Sequence, residues 1–200
     1  MSTPNKRERL IDSAAILFHR NGLMATSLAD IAKHAEVPIG NVYYYFKTKD
    51  ELALASTLRR REQFAKLYTL LTENIDDPRE RLIEAVNYYS TVREDYTKHG
   101  CPIGKIISDT ESDKDPVAKA ATSIFSDFIE WAETQFRELG HEQDARKYAI
   151  HLMAGIQGAT VMAKAFADKN IIINETDSLV NWLQSIPNRR IQLGKVFRAG

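Results

Sequence analysis

Apolar residues recur along this chain at a spacing of about 3.6, and no stretch alternates apolar and polar residues between hairpin turns. That periodicity predicts an all-helical fold, and local chemistry marks where its helices begin. Leu10, Ile11, Ala14, Leu17 and Phe18 form one stripe that ends before Gly22, a residue suited to stopping a helix in left-handed geometry. Ser27 with Asp30 and Thr48 with Glu51 read as capping boxes, in which a hydroxyl and a carboxylate satisfy the first N–H groups of a helix. Asp77 with Glu80 repeats the device, and Pro78 and Pro116 sit where a missing N–H costs nothing. The pattern predicts helices at 6–21, 28–34, 38–45, 49–72, 78–97, 103–110, 116–138, 142–168 and 176–186. Pro187 either ends the last of these or opens a short basic tail helix.

The helix lengths divide the chain. Three short helices are too little to be comfortably stable alone, and longer ones follow, joined to them by the helix that begins near Lys49. We therefore expect a small module at 1–48 and a larger helical domain at 49–200. With 44% hydrophobic residues in 200, disorder is excluded as a description of the whole. The 27 basic and 27 acidic residues cancel, but residues 1–61 carry ten basic against six acidic side chains, so a positive head joins a negative body. The single cysteine, Cys101, excludes an intramolecular disulfide, a multi-cysteine zinc site and a CxxC pair. The N-terminus has no apolar signal region and no stretch approaches a spanning helix, so a cytoplasmic protein without a membrane partner is expected. No GxSxG, HExxH, phosphate-loop or dinucleotide motif is present, and the five histidines lack ligand-pair spacing. The expectation is a protein that is not an enzyme and uses no metal or cofactor.

Residues 26–46 carry the most specific pattern. Ile31, Ala32 and Ala35 face inward from one short helix, Val37 plugs a turn, and Val42 and Phe46 face inward from the next; small Ala32 lets the two cross closely. The second helix then exposes Gly40, Asn41, Tyr43 and Tyr44, with Ile39 and Tyr45 at the edges. An Asn amide pairs with adenine, Tyr hydroxyls reach phosphates or base edges, and glycine permits close backbone approach. Lys47 and Lys49 follow at the start of the next helix, placed to hold a phosphate. The bland alternative is a helical hairpin of this shape, with one tyrosine or more packed inward.

This stretch resembles the DNA-binding domain of the tetracycline-repressor (TetR/AcrR) family. The likeness rests on Phe18 and Gly22, Thr26-Ser27, Ile31-Ala32, and the block Tyr43, Tyr45, Phe46, Lys49 and Leu52. It implies a homodimeric transcriptional regulator, usually a repressor of a palindromic operator, whose helical C-terminal domain binds an inducer and dimerises. Carried over, Ser27, Asn41, Tyr43, Tyr44, Tyr45 and Lys49 match operator-contacting positions. Two residues depart from the pattern: Ala29 replaces a polar contact residue, and Glu36 stands where relatives place Gly, at a cost of roughly 1 kcal/mol.

Beyond residue 50 the resemblance is architectural. Gly155, Gly158, Ala159 and Ala163 form a small-residue strip that, with Leu179, Trp182, Leu183 and Ile186, suits the family's four-helix dimer interface; the alternative is packing within the chain. Tyr68, Tyr89, Tyr96, Phe125, Phe128 and Trp131 are candidates to line an inducer pocket or to fill the core. Gly100-Cys101, with Lys105 one turn on, is similar to the Gly-Cys pair of the subgroup that includes the N-ethylmaleimide reductase repressor. That subgroup senses electrophiles or oxidants. A helix N-terminus and a nearby ammonium favour a thiolate, whereas a buried cysteine is otherwise a small hydrophobe. An adaptor with a non-functional helix-turn-helix is the remaining alternative.

Overall fold

Asn5 opens the first helix: its side chain accepts the Glu8 N–H while the Glu8 carboxylate accepts the Asn5 N–H, both at 3.0 Å. The computed structural model describes residues 5–110, 112 and 114–189, and among them are ten α-helices and no strand. They are α1 Lys6–Asn21, α2 Leu28–His34, α3 Ile39–Tyr45, α4 Lys49–Asn74, α5 Pro78–Thr91, α6 Arg93–His99, α7 Pro102–Asp109, α8 Pro116–Glu138, α9 Ala145–Phe166 and α10 Asn170–Ser185.

Three boundaries differ from expectation. The helix expected at 78–97 is two, because Val92 leaves helical geometry at ψ 9°. The helix expected from 142 starts at Ala145, after a turn in which Asp144 N–H bonds the His141 carbonyl. The last helix starts at Asn170 rather than 176; Ala167, at φ 52°, ends α9, and the Asp168 carboxylate accepts the Asn170 N–H at 2.9 Å. Ile171–Ile173 are weak helix formers, but Ile172 is 2% exposed and its burial holds that turn in place. The last helix does end before Pro187; a tail helix beyond it falls on 190–200, outside the described residues.

Packing divides the chain into two units at Phe64/Ala65, Lys98/His99 and Ile124/Phe125, so that 99–124 groups with the N-terminal residues. In the first unit, α1, α2 and α3 bury Leu10, Ala14, Phe18, Ile31, Val42 and Phe46, and α7 adds Ile103 and Ile106. In the second, α10 packs against both α9 and α5, burying Leu82, Val86, Leu152, Ile156, Leu179 and Leu183. Phe136 of α8 is wholly buried against the Tyr148 and Trp182 rings. Arg81 is held there by charge and hydrogen bonds together, donating to Gln135 at 3.0 Å and Glu138 at 2.9 Å.

Candidate nucleic-acid interface

The turn between α2 and α3 is built as its sequence requires. Ile31, Ala32, Ala35, Val37, Val42 and Phe46 are all buried, and the Val37 N–H bonds the Ala32 carbonyl at 2.9 Å. Glu36 adopts φ 53°, the left-handed conformation foreseen for it, and its carbonyl accepts from the Arg9 guanidinium at 3.2 Å. Because glycine is unstrained there, Glu36→Gly is expected to raise stability by up to about 0.6 kcal/mol, once glycine's larger unfolded-state entropy is set against the relieved strain. Thermal unfolding of the two proteins checks it; a lower melting temperature for the variant would contradict the strain argument.

With Val42 and Phe46 turned inward, α3 exposes Ile39, Gly40, Tyr43 and Tyr44, with Asn41 half-buried. Tyr44 is the most open, at 78%, and meets the Tyr45 ring edge-on at 4.9 Å. Tyr45 is the tyrosine that turns partly inward, lining a groove with Ile11, Phe46, Leu54 and Leu58. A Cβ added at Gly40 would meet no atom within 4 Å, so the chain's own packing does not demand glycine at this position.

Three residues expected to contact DNA are engaged within the protein. Ser27 caps α2: its hydroxyl accepts the Asp30 N–H at 3.1 Å and donates to the Asp30 carboxylate at 2.6 Å. That carboxylate lies below its ordinary range, chiefly through the hydroxyl, with the Ser27 N–H and Lys33 helping. Lys47 donates from Nζ to the Tyr43 carbonyl at 2.6 Å, closing the end of α3. Lys49, expected to face phosphate, sends Nζ inward to the Leu23 carbonyl at 2.8 Å, because the open turn after α1 leaves that acceptor within reach of a lysine stem.

Leu23 is held from its other side as well. Its N–H donates to Asp109 Oδ2 of α7 at 2.7 Å, and Lys105 of the same helix reaches the His19 and Arg20 carbonyls at the end of α1. Thr26, 1% exposed, donates to the Gly22 carbonyl at 2.7 Å, so the segment leading into α2 is pinned at both Leu23 and Thr26. Nothing local in the sequence announces Asp109, since its partner belongs to the N-terminal module. Cys101, half-buried, is the N-cap of α7, and its sulfur accepts the Gly104 N–H at 3.5 Å.

In the second unit the pocket candidates fall into two clusters. Tyr68 stacks on Trp131 with ring centres 5.0 Å apart and meets Phe128 edge-on. Burial pushes its hydroxyl well above the usual tyrosine range, with the Asp127 carboxylate and Tyr88 adding to the effect. Tyr89 packs against Tyr96 and also lines a cavity of only about 10 Å³ with Ile156, Thr160, Glu175 and Thr176. Phe125 is half-buried.

The expected dimer strip is largely consumed within the chain. Leu179, Leu183, Ile186, Ala159 and Ala163 are buried, and Trp182 packs against Phe136, Tyr148 and His151. At Gly155 an added Cβ would lie 2.8 Å from the Glu175 carboxylate and 3.2 Å from Leu179, so this glycine admits α10 of the same chain. Gly158 faces open space, with nothing within 4 Å of such a Cβ. The apolar face left in solvent is Ile150, Val161, Met162 and Phe166, 46–67% exposed.

Residues 10–56 match the family described as bacterial regulatory proteins, tetR family, and residues 81–174 match the C-terminal domain of LmrA/YxaF-like transcriptional regulators. The chain is 24% identical to the HTH-type transcriptional regulator LmrA of Bacillus subtilis over 168 residues, covering 82% of this chain and 88% of that protein. Over 50 residues, 25% of this chain and 27% of the relative, it is 42% identical to the HTH-type transcriptional regulator QacR of Staphylococcus aureus. Among solved structures, a TetR transcriptional regulator from Legionella pneumophila superposes with a TM-score of 0.80 at 20% identity, covering 90% of this chain and 97% of that one.

Proposed function

The chain belongs to the tetR family of bacterial regulatory proteins, and from that premise we propose that it is a homodimeric repressor released from a palindromic operator by a small apolar inducer. It is a DNA-binding transcriptional regulator of the helix-turn-helix type. The observation that carries the finer reading is the outer face of α3, where Tyr43 and Tyr44 stand in solvent on a helix whose opposite side is locked into the fold. We assign DNA binding to residues 1–48, and inducer binding and dimerisation to 49–200, in the cytoplasm; the reading involves no catalytic step. No described helix is long and apolar enough to cross a membrane.

Dimerisation follows from the groove spacing of DNA: two recognition helices must meet successive major grooves about 34–36 Å apart. The exposed stripe of α9, with Gly158 open beside it, supports that role. In the second unit the aromatic clusters around Tyr68 and Tyr89 are the candidates to part around an inducer. Duplex from upstream of the chain's own gene is expected to bind with a steep loss of affinity as salt rises, because phosphate contacts release counterions. Apolar compounds are expected to reverse that binding. Salt-independent or absent binding would reject the proposal.

A second reading, an electrophile- or oxidant-sensing repressor, is favoured by one contact. The Gly104 N–H donates to the Cys101 sulfur at the start of α7, an arrangement that stabilises negative charge on sulfur. Lys105 supports it less directly, since its ammonium reaches the end of α1. Under this reading electrophiles release the wild-type protein from DNA and leave Cys101→Ser bound; equal release of both would discard it.

A further inference from the structure

The reading helix is without charge. The sequence of α3, Ile39 to Tyr45, contains no Lys, Arg, Asp or Glu. Cations around it are turned onto the protein itself: Lys47 to the Tyr43 carbonyl, Lys49 to the Leu23 carbonyl, Arg9 to the Glu36 carbonyl, and Arg7 over the Phe46 ring at 5.3 Å. What remains exposed is the branched side chain of Ile39, two phenol rings and the bare backbone of Gly40, with Asn41, the one amide, half-buried among them.

Each base pair asks for a different reader in the major groove. Guanine presents two acceptors, matched by a bidentate Arg or Lys, and cytosine presents an amino group, matched by a carboxylate. Adenine presents a donor beside an acceptor, which an Asn amide matches, and thymine presents a methyl group, which an apolar side chain matches. Of these four readers α3 holds only the last two, and the Tyr43 and Tyr44 hydroxyls, which donate and accept alike, reach phosphates or base edges without selecting a base. Resting on the DNA-binding function proposed above, we infer that the half-site under α3 is made of A·T pairs. Asn41 pairs with an adenine, and Ile39 and the Tyr43 ring pack on thymine methyl groups. Gly40, with open space where a Cβ would be, lets the helix approach the groove closely enough for these short side chains to reach.

Selection of the full chain on random duplexes, followed by binding to the selected sequence with uracil in place of thymine, tests this. The expected result is A·T at the pairs that α3 protects, an affinity about tenfold lower with uracil, and loss of the adenine preference in Asn41→Ala. Selection of G·C at those pairs, or equal binding to uracil and thymine duplexes, overturns the inference while leaving the protein a DNA-binding regulator. Selection of no sequence at all, with no duplex retained, overturns both.

Discussion

The variant carrying Val161→Glu and Phe166→Glu is expected to sediment as a monomer and to lose about 10²–10⁴-fold in affinity for a duplex with two half-sites. Ile150, Ala154, Gly158, Val161, Met162 and Ala165 recur at intervals of three and four along α9, so they share one face, with Phe166 at its margin. All are exposed, and a stripe of this apolar content left wet is the mark of a surface that meets a partner. At 65% and 67% exposure, Val161 and Phe166 contribute little to the chain's own core, so carboxylates there leave each protomer folded. Across a symmetric contact, however, each carboxylate would be buried against its own copy without a counter-charge, a cost the interface cannot offset. Once monomeric, the protein binds each half-site independently and loses the effective concentration that the second head gains when the first is bound. Sedimentation, circular dichroism and binding to one-site and two-site duplexes together decide it. A dimeric mass with undiminished two-site affinity would show that this stripe is not where the copies meet.

How much could be read in advance depended on how local the cause was. The α2–α3 turn was legible residue by residue, because Ala32, Val37, Val42 and Phe46 report a packing problem solved within a short segment, and Glu36 betrayed its backbone conformation by occupying a glycine position. The start of α10 was not legible, because the run of isoleucines disfavours helix and it is the burial of Ile172, beside the distant Tyr89 and Ile156, that holds it there. The small-residue strip was ambiguous for a related reason. Both sides of α9 are apolar, one covered by α10 and the other exposed, and small residues such as Gly155 mark close approach without saying to what. Lys49 shows the limit for charged residues. A lysine that follows a recognition helix suggests phosphate, but a four-carbon stem reaches inward as readily as outward, and the Leu23 carbonyl decides between them.

That carbonyl belongs to the turn where the other large effect is expected. Gly22→Ala should destabilise the protein by roughly 2.5–6 kcal/mol, from two separable causes. The first is the backbone: Gly22 sits at φ 94° and ψ 161°, a region essentially closed to residues with a Cβ, at a cost of about 1–3 kcal/mol. The second is space, since an added Cβ would lie 2.8 Å from Asp109 Oδ2, the atom that accepts the Leu23 N–H at 2.7 Å. Moving the carboxylate away breaks a hydrogen bond to a charged group, worth about 1.5–3 kcal/mol. The two causes come apart in a double-mutant cycle. Asp109→Ala alone loses the hydrogen bond, but in its presence the alanine at 22 has no carboxylate to displace, so the pair should cost less than the sum of the singles. DNA binding should fall with stability, because the Lys49 and Thr26 contacts that set the entry into α2 depend on the same turn. Strict additivity in denaturant unfolding would mean that the backbone alone explains glycine here, and a neutral Gly22→Ala would remove the argument altogether.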